Sequence, residues 1–143
     1  FRAAPPDESM IITGREVRAL VEEPRDDVTI IDTRTEEEYL EEGTIPGSVL
    51  LNYVGNNFSD GTFRPVRQIR IRYVEAGIDL DEGAVLFCKT SIRGAQTHLA
   101  MYNAGYRNLK LYDGAWVEWT ANPMNPIYFE EPAVLQLQSS DNS

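Results

Sequence analysis

Two hydrophobic rhythms alternate along the chain. Val28-Thr29-Ile30-Ile31, Ser48-Val49-Leu50-Leu51-Asn52, Ala84-Val85-Leu86-Phe87 and Leu109-Lys110-Leu111-Tyr112 are short, largely apolar runs that read as strands. Helical spacing fills the intervals: Val17, Leu20 and Val21; Tyr39 and Leu40; Val66, Ile69, Tyr73 and Val74; Leu99, Met101, Tyr102 and Ala104; and a short last helix from Ala115 to Thr120. Thr13 with Glu16, and Thr35 with Glu38, have the spacing of capping boxes. Pro65 suits a first helical turn, and Gly43, Gly77 and Gly105 suit helix ends. Strand and helix alternate with connections too long for hairpins, so the expected class is α/β, a central parallel sheet with helices on both faces.

Ligands of such sheets bind beyond the carboxyl ends of the strands, which is where Asp32, Cys88 and Asp113 fall. Cys88 is the only cysteine and stands between an apolar run and a polar loop, Lys89-Thr90-Ser91-Ile92-Arg93, that opens a helix. Unpaired N–H groups and the helix dipole at such a turn favour a thiolate and any anion brought to it. The competing reading is an inert core thiol.

With 143 residues, 42% hydrophobic and 25% charged, the chain suits one globular domain. The expected organisation is a flexible tail or linker over 1–9, one domain over 10–127 and a C-terminal extension over 128–143, which is an edge strand, a partner-binding arm or a tail. One cysteine and one histidine, His98, make no familiar metal pattern, so no metal and no cofactor are expected. The net charge of −10 argues against nucleic acid and anionic membranes, and no apolar stretch approaches the roughly 20 residues of a membrane span. Arg64, Arg67, Arg70 and Arg72 stand out against this acidity, as a solvated helix face or a means of concentrating a small anion. The compartment is left open, leaning to the cytoplasm, with the periplasm the alternative if Phe1 is a processed terminus.

Four blocks carry a resemblance: Asp32-Thr33-Arg34 with Glu38 and Tyr39; Gly43-Thr44-Ile45-Pro46-Gly47-Ser48; Cys88 to Arg93; and Leu111 to Trp119. In order and spacing they resemble a rhodanese-type sulfurtransferase domain. Asp60 to Arg64 and Asp113 to Trp119 look most like the catalytic C-terminal half of two-domain thiosulfate or 3-mercaptopyruvate sulfurtransferases. The resemblance implies that Cys88 takes a sulfane sulfur from a small anionic donor such as thiosulfate, holds it as a persulfide and passes it to cyanide or a thiol. It further implies that Lys89, Thr90, Ser91, Ile92 and Arg93 bind substrate, their amides cradling the persulfide while Arg93 and Lys89 hold the anion. A second rhodanese domain or a homodimer partner is compatible with it.

Two positions depart from the family pattern: Ser91 stands where glycine is frequent, and Thr44 where histidine is usual. Mercaptopyruvate enzymes carry a smaller loop of Gly-Ser-Gly type, so Lys89 and Arg93 tilt the reading to thiosulfate. Asp32 and Arg34 are supporting candidates; as a structural alternative, Asp32 caps the turn and Arg34 pairs with Glu38. Trp116 is a candidate pocket wall, Trp119 a core residue, and His98 structural or solvated. Phosphatase and arsenate reductase loops enclose a wider ring than the four residues between Cys88 and Arg93. A catalytically silent rhodanese-like binding module is the rival from another class, although such modules commonly lack the cysteine.

Overall fold

The computed structural model describes residues 10–89 and 91–130, without the side chains of 91–94. Four strands, β1 (Val28–Asp32), β2 (Val49–Leu50), β3 (Gly83–Phe87) and β4 (Leu109–Leu111), form one sheet in the order β2-β1-β3-β4, all neighbours parallel. The register sets Asp32 beside both Leu50 and Phe87, so the carboxyl ends of β1, β2 and β3 finish on one level. The chain leaves β1 towards β2 but leaves β3 towards β4 on the other side. The crevice between the ends of β1 and β3 is therefore the switch point of the sheet.

Five helices surround it: α1 (Gly14–Glu22), α2 (Glu36–Glu42), α3 (Val66–Glu75), α4 (Ser91–Asn103) and α5 (Ala115–Ala121). Both expected capping boxes form; Thr13 and Thr35 each accept the N3 amide at 3.2 Å while Glu16 and Glu38 reach back to the cap. Period two in the strands splits the core. Ile31, Ala84, Leu86 and Leu111 pack with Ile69 and Tyr73 of α3, Ala100 and Met101 of α4, and Ala104 just after it. Ile30, Val85 and Phe87 pack on the other face with Val17 of α1 and Trp116 and Trp119 of α5. Helices thus cover both faces, as the apolar character of β1 and β3 requires.

The second strand is shorter than its apolar run, because after Leu50 the chain turns into a 3-10 helix at Tyr53–Asn56. Asn52 starts that turn by accepting the Val54 amide. Two edge contacts were not legible from the pattern. Ile11 bridges Leu111, its neighbour Ile12 donating to the Leu111 carbonyl, and Thr44 pairs with Tyr128 through two 2.8 Å hydrogen bonds. The second brings chain beyond residue 127, the expected domain boundary, against the α2–β2 connection. The expected tail over 1–9 and the C-terminal extension beyond residue 130 lie outside the described residues. No described helix is long and apolar enough to cross a membrane.

Candidate active site

Cys88 follows the last residue of β3 and is 1% exposed. Its carbonyl accepts the Trp116 amide at 2.8 Å, and the preceding carbonyl, of Phe87, accepts both the amide and the hydroxyl of Thr33 at 3.0 and 2.9 Å. These bonds tie the cysteine to the ends of β1 and α5. Three residues later α4 begins, so the unpaired N–H groups of a 13-residue helix open onto the cysteine turn. Thr90 and the side chains of Ser91, Ile92 and Arg93 lie outside the described residues; the backbone of residues 91–93 forms the first turn of α4.

Lys89 is half-exposed and reaches Glu42 at 3.7 Å across the mouth of the crevice. Glu42 was not singled out in the sequence, where it is one of five glutamates on a short acidic helix.

Asp32 and Arg34, both fully buried, form a forked ion pair, with Arg34 Nε donating to Oδ1 at 3.0 Å and Nη2 to Oδ2 at 2.7 Å. The expected partner of Arg34, Glu38, closes the capping box with Thr35 instead, and the guanidinium turns inward to the carboxylate two residues back. The Thr44 hydroxyl donates to Asp32 Oδ2 at 2.8 Å and shares a 2.7 Å bond with Ser48, so Asp32 is occupied from three sides. Arg34 Nη2 also donates to the Gly43 carbonyl, while Nη1 has no hydrogen-bond partner among the described residues. This network lies beneath the crevice, and Asp32 presents no free oxygen to it. Thr44, the departure from histidine, belongs to the same buried network. Asp113, the third polar residue at the sheet edge, is exposed.

Trp116 is nearly fully buried, its ring packed near-parallel to Phe87 with the Arg34 guanidinium 4.3 Å above it. Its amide donates to the Cys88 carbonyl, and its ring packs with Phe87 in the core cluster on that face of the sheet. Ala115, at φ 61°, is the one described non-glycine residue in the left-handed region. That strained turn aims the Trp116 amide at Cys88, and an alanine gives no sequence signal for it. His98 is buried on α4, which excludes the solvated reading, and burial pushes its imidazole below the usual histidine range. Trp119 is core, with its indole N–H donating to the Pro126 carbonyl at 2.8 Å.

Arg72 is no part of a solvated face. It donates to Asn56 Oδ1 at 2.6 Å and to the Asn52 carbonyl at 2.7 Å, and Asn56 in turn donates to Thr97 of α4 at 3.2 Å. Its guanidinium lies across Gly55, where a Cβ would meet it at 2.5 Å. The 3-10 turn beside the crevice is held this way to α3 and α4. A cavity of about 470 Å³ lies elsewhere, between α1 and the amino ends of β1, β3 and β4. No cluster of metal-ligating side chains occurs among the described residues.

A doubly wound α/β domain with a cysteine in its switch crevice and a helix start facing that cysteine is the class these observations define. The rhodanese-like domain family matches over residues 13–122, and the chain belongs to that family. It is 31% identical over 99 residues to the sulfur carrier protein TtuD of Thermus thermophilus, covering 68% of this chain and 35% of that protein. It is 28% identical over 132 residues to a probable 3-mercaptopyruvate sulfurtransferase of Pseudomonas aeruginosa, covering 85% and 45%. A putative thiosulfate sulfurtransferase of Haloferax volcanii is 33% identical over 78 residues, covering 54% and 27%. The chain thus spans from about a quarter to under half the length of these relatives. Among solved structures, wild-type EanB superposes with a TM-score of 0.79 at 22% identity over 90% of this chain and 33% of that one, which supports the fold. The chain is a sulfurtransferase-family domain by these relationships.

Proposed function

We propose that Cys88 carries sulfane sulfur from thiosulfate or a related anionic donor to cyanide or a thiol. In the first step the Cys88 thiolate attacks the outer sulfur of thiosulfate; the new S–S bond forms as the old one breaks, and sulfite leaves with its electron pair. In the second, cyanide or a thiolate attacks the outer sulfur of the persulfide and the Cys88 thiolate is released. No net oxidant is needed, and no cofactor is invoked. The observation that carries this reading is the placement of Cys88 at the switch crevice, three residues ahead of a 13-residue helix. The amides of that turn are suited to spreading negative charge on the persulfide.

Lys89 and Arg93 take the donor's oxygens in this proposal, Arg93 by its place in the sequence on the first turn of α4 and Lys89 by leaving Glu42. The burial of Cys88 supports a persulfide kept from bulk oxidants. By the Asp60 to Arg64 and Asp113 to Trp119 stretches, this domain corresponds to the catalytic half of two-domain relatives. The experiment is intact-mass spectrometry after treatment with thiosulfate or, in parallel, 3-mercaptopyruvate. A gain of roughly 32 Da, reversed by cyanide and absent in Cys88→Ser, is expected with thiosulfate. No adduct with either donor would leave a silent binding module, and an adduct with mercaptopyruvate alone would reassign the donor.

A further inference from the structure

β2 and β3 run parallel, so the chain between them departs at the carboxyl edge of the sheet, the edge that holds Cys88. Its first stretch is the 3-10 turn, whose Tyr53 amide donates to the Thr33 carbonyl at 3.0 Å. Next comes a small hairpin, in which Asn57 bridges Phe63, the Phe58 amide meets the Thr62 carbonyl at 2.8 Å, and Asp60 accepts from both the amide and the hydroxyl of Thr62. Arg64 then returns its amide to the Asn56 carbonyl at 2.8 Å. The stretch is built on a fixed base, yet it turns apolar side chains outward. Val54, Phe58, Phe63 and Val66 are between 39% and 54% exposed.

Two cations border this shelf. The Arg64 guanidinium lies 5.0 Å from the Phe58 ring, and Arg67 is exposed on the first turn of α3. Neither makes an ion pair with a described residue, although the chain holds 23 acidic residues against 13 basic ones. The hairpin's one carboxylate, Asp60, has its Oδ1 taken up by Thr62. The two cations alone would draw any small anion, but four exposed apolar side chains beside them add nothing for cyanide or a small thiolate, whereas an acidic polypeptide gains from both.

We propose that this shelf docks the sulfur acceptor, and that the acceptor is an acidic polypeptide carrying a cysteine beside apolar and acidic residues. The proposal rests on the sulfurtransferase reading for the transfer step, not for the docking. The transfer balances as above: the acceptor thiolate attacks the outer sulfur of the Cys88 persulfide, the Cys88 thiolate departs, and the acceptor becomes the persulfide.

Two synthetic peptides test it, each with one cysteine and one phenylalanine, flanked by glutamates in one and lysines in the other. Serine versions labelled with a fluorophore report binding by anisotropy, independent of chemistry; the cysteine versions report transfer by mass. The acidic peptide is expected to bind about ten-fold or more tightly at low salt, with the gap closing near 0.5 M salt. The Arg64→Glu/Arg67→Glu variant should lose that preference and Phe58→Ser should weaken binding, while thiosulfate-to-cyanide turnover stays within about two-fold of wild type. Equal binding of the two peptides, or a preference that survives the double variant, overturns the proposal. So does a wild-type dimer in sedimentation that the double variant dissolves, which would give the shelf to a second copy. Failure of wild type to form a persulfide would instead remove the sulfurtransferase reading, and the anisotropy result would still decide the docking.

Discussion

Arg34→Met tests whether the buried fork beneath the crevice is what holds the α2–β2 connection to the end of β1. Arg34 gives Asp32 two charge-assisted bonds, at 3.0 and 2.7 Å, with neither side chain exposed to water. Its removal leaves a buried carboxylate with only the Thr44 hydroxyl and the Arg34 amide, and stranding one partner of a buried pair costs about 3–5 kcal/mol. Loss of the guanidinium over Trp116 adds about 0.5–2 kcal/mol. Asp32→Asn should cost a similar amount from the other side, by stranding the guanidinium. The pair together should cost less than the sum of the two, because the double variant leaves no unpaired charge, and a coupling of about 2 kcal/mol or more is expected. Urea unfolding of the four proteins, read by tryptophan fluorescence, measures it. Simple additivity, or a cost below about 1 kcal/mol for Arg34→Met, would refute the reasoning.

Other consequences are open to measurement. Cys88 at 1% exposure should discriminate by reagent size, its rate with a bulky maleimide falling at least about ten-fold further below the rate in urea than its rate with iodoacetamide does; equal ratios for the two reagents would show that the crevice does not limit entry. Gly43, at φ +80°, would place a Cβ 2.6 Å from Ile127 and 2.9 Å from the Tyr128 carbonyl, so Gly43→Ala should cost about 2 kcal/mol or more in urea unfolding; an unchanged midpoint would deny that the 127–129 strap is packed there. Burial pushes the Tyr106 phenol, which donates to the Ile78 carbonyl, up to about 12 from an unfolded value of 10.0. Its contribution is whole below pH 10 and is lost as pH rises from 10 through 12, since the unfolded state ionises first. Tyr106→Phe should flatten that decline, and an identical alkaline limb in the variant would exclude Tyr106 as its source.

The elements that sequence periodicity disclosed are those whose cause is local. Capping boxes at Thr13 and Thr35 need only four residues each, and the apolar runs of β1 and β3 declare strands buried on both faces. What periodicity could not disclose is pairing over long sequence distance. Arg72 reads as one of four arginines on a helix face until the fold brings Asn52, Asn56 and Thr97 to it, and the Thr44–Tyr128 pairing joins residues 84 apart in number. Arg34 likewise has two acidic residues within pairing distance in the sequence reading, Asp32 two positions back and Glu38 one helical turn on. Only the burial of one and the capping duty of the other decide between them.

The same contrast explains how the site is divided. Cys88 and the start of α4 are adjacent in sequence, so the reactive feature was legible as a turn between an apolar run and a helix. The parts that fix that turn come from elsewhere: Thr33, just past the end of β1, and the Trp116 amide from α5. A sulfur carrier of the kind proposed needs its cysteine held still against a helix end while donor and acceptor differ in size. Rigid support from behind, through Thr33 and the strained Ala115 turn, leaves the front edge free to be shaped separately. The outward-facing hairpin at Phe58 and Phe63 is that separately shaped edge. Its arginines sit outside the buried network, so partner choice can change there without disturbing the ion pair that keeps the crevice standing.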